Sequence, residues 1–172
     1  MVLLLLSFAW SEFTSFFGNE YEWKSLEEGM ELIQQYQKPG ILIISKTWSG
    51  SSRDLAASMS ENGKLIQLSK QFVMILAQDD NEPEDEKYLP GLLLFFYIHW
   101  IDSRERYYPR VFFINSDKSI DYSINNAGFS PLNHFYYYDS NSVYNSAVEY
   151  LKSHQLMDDE ELWFIYWYSF YI

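Results

Sequence analysis

Three short runs limit what this chain can become: GILIIS at 40–45, FVMILA at 72–77 and RVFFIN at 110–115. Each is apolar residue after residue, and does not alternate with polar positions. A strand that is apolar on both sides has to be covered on both sides, which is the habit of sheets layered between helices. The covering helices are readable too. Ser25-Leu26-Glu27-Glu28 is a capping box, in which the serine accepts from the N3 amide and Glu28 reaches back to the cap. Leu26, Met30, Ile33 and Tyr36 follow at helical spacing, and Pro39-Gly40 stop the helix. A second helix is expected from about residue 52 to 62, ended by Asn62-Gly63, and a short third one over 64–70. RVFFIN, the Ser116-Asp117-Lys118 turn and SIDYSI are expected to form a hairpin. Ser142 is expected to cap a last helix with Tyr144, Val148 and Leu151 on one face. The order β-α-β, hairpin, α predicts an α/β fold with a central mixed β-sheet flanked by helices. No internal repeat is visible.

Between the first strand and the second helix lies KTWSGSSRDL, residues 46–55. With cysteines at 49 and 52 this would be a W-C-x-x-C thiol site, where the amides of a helix start lower the pKa of the first thiol. The chain has no cysteine, which removes disulfides, thiolate metal sites and cysteine nucleophiles together. Serine is among the best N-cap residues, and Ser51 and Asp54 have capping-box-like spacing. The local fold is therefore expected to survive while electron transfer is lost, because a hydroxyl cannot form the mixed disulfide that exchange requires.

Two other chemistries compete with this reading. A hydrolase serine needs a base within hydrogen-bond reach and a third group orienting that base. The histidines are His99, His134 and His154, and no G-x-S-x-G elbow is present, so a capping serine is the simpler reading. The acidic run at 79–86 suggests a hard cation, but it lacks the spacing and turn glycine of an EF-hand loop. A solvated loop is expected there, with no metal and no cofactor.

The formal charge of -12 argues against nucleic acid and against an anionic membrane surface. No Asn-x-Ser/Thr acceptor occurs. Residues 1–11, with a short apolar core and small Ala9 and Ser11, are expected to be a signal peptide cut after Ser11; a buried first strand is the alternative. Aromatic residues make up 20% of the chain and crowd into two further stretches, 91–107 and 162–172. Each apolar run is about half the length a transmembrane helix needs, so no transmembrane span is expected. Contact with a membrane surface or a partner is one reading of them. Packing on the domain, or absence from the mature protein, is the other.

Read together, EWKSLEEG, SKTWSGSSRDL, FVMILAQDDNEPEDE, YYPRVFFINSDKS and HFYYYDS resemble the small single-domain thioredoxin-like proteins of the endoplasmic reticulum. These are the thioredoxin domain-containing protein 12 type, with the anterior gradient proteins as near relatives. The resemblance runs over residues 17–162, interrupted by an apolar insertion at 91–107, and leaves 163–172 as an aromatic C-terminal tail. It implies a thioredoxin fold and location in the endoplasmic reticulum lumen or secretion. Catalytic members carry out thiol-disulfide exchange. Their two thiols correspond to Ser49 and Ser52, and the proline facing them, usually cis, corresponds to Pro109. The implied peptide-binding groove would be lined by Trp48, Gly50, Tyr108, Pro109 and Arg110, taking secretory-pathway clients by strand-like pairing. Asp159, Glu160, Glu161 and Leu162 resemble the family's retention tetrapeptide, but ten more residues follow, and a receptor reading a free C-terminus would not read it. The resemblance thus implies a non-catalytic binding protein. The alternative is a protein-disulfide oxidoreductase whose cysteines at 49 and 52 are serine in this chain.

Overall fold

The structure, a computed structural model, describes residues 17–84, 86–88, 107–128 and 133–168. The expected signal peptide, nearly all of the apolar insertion, His99 and the last four tail residues lie outside these. Strands β1 (Gly40–Ser45), β2 (Val73–Gln78) and β3 (Arg110–Ile114) form one mixed sheet in the order β2-β1-β3. β1 runs parallel to β2, with Gly40 opposite Val73 and Ser45 opposite Gln78. It runs antiparallel to β3, with Gly40 opposite Ile114 and Ile44 opposite Arg110.

Every residue of the three strands is buried, as their unbroken apolar runs require. Alternation along the strands sorts them onto two faces. Ile41, Ile43, Met74, Leu76, Val111 and Phe113 point to one side. There they meet helices α2 (Gly50–Ser60), α3 (Gly63–Ser69) and α4 (Ser140–Ser153) through Leu55, Met59, Leu65, Leu68, Val143, Ala147 and Tyr150. Leu42, Ile44, Ile75, Phe112 and Ile114 point to the other, under Ile33, Met30 and Leu26 of α1 (Leu26–Tyr36) and beside Tyr88. This is the layered α/β architecture expected from the strand and helix pattern, with the thioredoxin-like arrangement that the resemblance implies. The final helix α5 (Asp159–Tyr168) packs on the first face through Leu162 and half-buried Ile165. Among the described residues no helix is long and apolar enough to cross a membrane.

Ser25 caps α1 as expected, its side chain accepting from the Glu28 amide. Three other local expectations are corrected. Helix α2 begins at Gly50 because Ser49, not Ser51, is its N-cap and accepts from the Ser52 amide. Helix α4 is capped by Asp139, whose carboxylate accepts from the amides of Asn141 and Ser142. Its start is drawn forward by buried Ser140, which meets the Ser58 hydroxyl at 2.7 Å and the Asn62 side chain at 2.9 Å. The buried face of α4 accordingly centres on Val143, Ala147 and Tyr150, with Tyr144 and Val148 at its edge. The hairpin is short: a bridge joins Ile114 to Ile120, with the Asn115 amide donating to the Ser119 carbonyl at 2.8 Å and the Asp121 amide to the Phe113 carbonyl at 2.9 Å. Asp117 and Asp121 each accept from the amide two residues on, at 2.8 and 3.0 Å, and these local turns end the ladder early.

Candidate functional site

The turn between β1 and α2 holds the residues singled out from the sequence. Ser49, half-buried, has extended backbone, and its Oγ accepts from the Ser52 amide at 3.3 Å. The same hydroxyl donates to the Tyr108 carbonyl across the site at 3.4 Å. Ser52 is fully buried one turn in, its Oγ accepting from the Lys46 amide at 3.4 Å. Facing them, the Tyr108–Pro109 peptide bond is cis. Trp48 stands out into solvent, 69% exposed, with its ring edge-on to Tyr108 at 5.7 Å. Trp48, Ser49, Gly50, Tyr108 and Pro109 therefore come together around one turn.

Arg110 does not line the surface. It is the first residue of β3, fully buried beneath the turn, where it bonds Glu82. Glu82 comes from the acidic run, yet its side chain is only 5% exposed. Its carboxylate accepts from Lys46 Nζ at 2.8 Å, from the Tyr108 hydroxyl at 2.6 Å and from Arg110 Nη2. Burial by itself would raise this carboxyl, but the bonds from Lys46 and Tyr108 and the Arg110 charge hold it below the usual carboxylate range. Lys46 Nζ also reaches the Asp79 carbonyl at 2.6 Å, and the Asp79 carboxylate accepts from the Thr47 amide at 2.9 Å. So the expected solvated loop is solvated only in part. Asp80 and Glu84 are exposed, while Asp79 and Glu82 bind the 46–49 turn and the proline loop from below. A sequence pattern does not reveal this: Glu82 sits among acidic neighbours that look equivalent to it, and only the partners distinguish it.

Chemically, the turn offers two hydroxyls committed to holding backbone. Neither has a histidine as partner among the described residues. His154 lies at the end of α4, with its Nδ1 2.9 Å from the Tyr150 carbonyl and its Nε2 3.5 Å from Asp121. That placement removes it from a hydrolytic arrangement around Ser49. Lys46 lies 5.5 Å from the Tyr108 ring centroid and Arg110 5.1 Å, so the aromatic ring is held between two cations and the Trp48 edge. A cleft of about 470 Å³ bounded by Ser25, Met30, Asn81, Lys87, Tyr88 and Lys118 involves none of the turn residues.

No family model matches the sequence. Among solved structures, similarity is found to "The crystal structure of disulphide isomerase from Xylella fastidiosa Temecula1", at 19% identity over 73% of this chain and 87% of that one, TM-score 0.45. It is also found to the DsbD C-terminal domain of Neisseria meningitidis in the reduced form, at 20% identity over 72% and 92%, TM-score 0.44. A structure titled "DsbH Oxidoreductase" matches at 16% identity over 60% and 72%, TM-score 0.41. In its own geometry, with a mixed sheet, a helix rising from Ser49 and a cis-proline turn facing it, the chain has an α/β fold of the thioredoxin type, and it contains no cysteine.

Proposed function

We propose that this chain is a non-catalytic, client-binding thioredoxin-like protein of the secretory pathway, related to thioredoxin domain-containing protein 12 and the anterior gradient proteins. It would work in the endoplasmic reticulum lumen or after secretion. Residues 1–11 would be removed as a signal peptide. Residues 17–162 would form the working domain, with 91–107 inserted in it and 163–172 appended. The observation that carries this reading is the pairing of Ser49 with Tyr108. The hydroxyl keeps the helix cap and the 3.4 Å contact to the proline loop, which supports a surface that would take extended peptide by strand-like pairing without sulfur chemistry. Exposed Trp48 is the anchor such a surface needs, since aromatic side chains dominate binding hot spots.

A second reading rests on the same preserved geometry: an oxidoreductase in which serine stands for cysteine at 49 and 52. One experiment with two arms separates them. Binding of an unfolded, cysteine-free reporter polypeptide is measured for the chain and for Trp48→Ala. Reduction of a disulfide substrate is measured for Ser49→Cys/Ser52→Cys. We expect binding that Trp48→Ala weakens about tenfold or more. A doubly substituted protein that neither forms a reducible disulfide nor reduces the substrate leaves the binding reading alone. Restored cycling without binding by the parent chain would replace it with the oxidoreductase.

A further inference from the structure

Beyond its acidic first turn, helix α5 is apolar on the side it buries and shows aromatic residues on the side it exposes. Leu162 and Ile165 face the core, while Trp163, Phe164 and Trp167 are 60, 66 and 47% exposed. Trp167 lies four residues after Trp163 and three after Phe164, so it neighbours both on the helix surface, and Trp163 also borders a groove with Tyr144, Val148 and Lys152 of α4. The two indoles lie nearly parallel, 6.4 Å apart, with Phe164 edge-on to Trp163 at 6.1 Å. A helix that is hydrophobic all round is normally covered on all sides. Its start is fixed separately: Asp158 accepts from the Glu161 amide at 2.9 Å and Glu161 accepts from the Asp158 amide at 3.1 Å. This reciprocal capping box makes Asp159, Glu160 and Glu161 the first turn of the helix; Asp159 pairs with Lys152 of α4 at 2.5 Å, and exposed Glu160 and Glu161 precede the aromatic face.

We propose that this face rests on the surface of an electrically neutral lipid bilayer. Three arguments select that occupant. Among the described residues the exposed part of the three rings amounts to roughly 350 Å², taking about 200 Å² for each buried aromatic, short of the ~800 Å² per partner of a standard protein interface. A bilayer asks for no such minimum, because each ring enters the interface on its own. Next, tryptophan is the side chain that favours the headgroup level, with its ring in the apolar layer and its N–H in the wet one. Finally, the charge of -12 and the acidic first turn oppose a second copy of the chain and oppose anionic lipid, which leaves a neutral surface. The helix is ten residues long, about 15 Å at 1.5 Å per residue, so the contact is with one leaflet.

The test is flotation of the full chain with phosphatidylcholine vesicles, with vesicles also containing phosphatidylserine, and without lipid. Flotation with phosphatidylcholine, weakened by phosphatidylserine, is expected. Phe164→Ser alone, at the most exposed ring, should lower partitioning about tenfold. Trp163→Ser/Phe164→Ser/Trp167→Ser should abolish it, while far-UV circular dichroism and binding at the 46–49 turn stay as in the parent. No flotation of the parent would overturn the proposal. So would flotation indifferent to the triple change, or preference for anionic vesicles. Dimers in the absence of lipid that the triple change dissolves would assign the face to a second copy instead.

Discussion

At the scale of single residues, Glu82 explains how the turn and the proline loop keep their places. Three donors from three segments converge on its two oxygens: Lys46 after β1, Tyr108 in the proline loop and Arg110 at the start of β3. Arg110 needs this partner, because its Nε and Nη1 are buried with no hydrogen bond and a buried cation with no counter-charge is costly. Glu82→Gln removes the negative charge and leaves two cations below the site. A loss of about 3 kcal/mol follows, the size found when one member of a buried ion pair is removed. The pH dependence has a definite sign. A carboxyl held below its unfolded pKa contributes stability that is fully present above the unfolded value and drains away as pH falls through the folded one. Urea unfolding of parent and variant should therefore show the widest separation near neutral pH and convergence in acid. A separation that stays constant into acid would mean that packing, and not the charge, is what Glu82 supplies.

At the scale of elements, α1 is set close to the sheet by a residue with no side chain. A Cβ built on Gly29 would lie 2.4 Å from Ile75 Cγ1 and 2.6 Å from its Cδ1, and Ile75 is fully buried in β2. Gly29→Ala pits about 1 kcal/mol of gained helix propensity against an overpacked core costing ~1–3 kcal/mol. The net expectation is a loss of about 1 kcal/mol, measured as a lower urea midpoint with unchanged slope; a more stable variant would show that Ile75 can turn aside. This contact is invisible in the sequence, where Gly29 looks like a weak point in a helix. The strands and the first cap were legible because their signals are local: unbroken apolar runs at 40–45 and 110–115, and Ser25 with Glu28 three residues on. The start of α4 was not, since Asp139, Ser140 and Ser142 are all good caps and the choice is made by Ser58 and Asn62 from the distant helices α2 and α3. The site divided the same way. Trp48 and Ser49 stand out in the 46–55 motif, and Pro109 enters only through the family resemblance, whereas the role of Glu82 depends on partners 28 and 36 positions away in the chain.

At the scale of the whole molecule, the open matter is whether residues 163–172 belong to the folding unit. The resemblance ends at Leu162, but α5 continues through that point to Tyr168. Leu162 is buried in the main core, and Ile165 packs against it from the edge. Ending the chain after Leu162 would leave four residues of α5, too few to hold a helix by themselves, so the contributions of both anchors would be at risk together. At about 1.5–3 kcal/mol for a fully buried aliphatic side chain, and less for a half-buried one, the loss comes to about 2–4 kcal/mol. That lies below the 5–15 kcal/mol by which domains are usually stable. The sheet ladders pair β1 with β2 and with β3, and the 46–49 turn is held by Ser52, Asp79 and Tyr108. The truncated protein should thus unfold in one transition, at a lower urea concentration, and still bind the reporter polypeptide through Trp48. It should no longer float with phosphatidylcholine vesicles, because Trp163, Phe164 and Trp167 go with the tail. An unfolded product would instead make α5 part of the minimal domain, and the boundary at Leu162 would then mark a change of composition, not of structure.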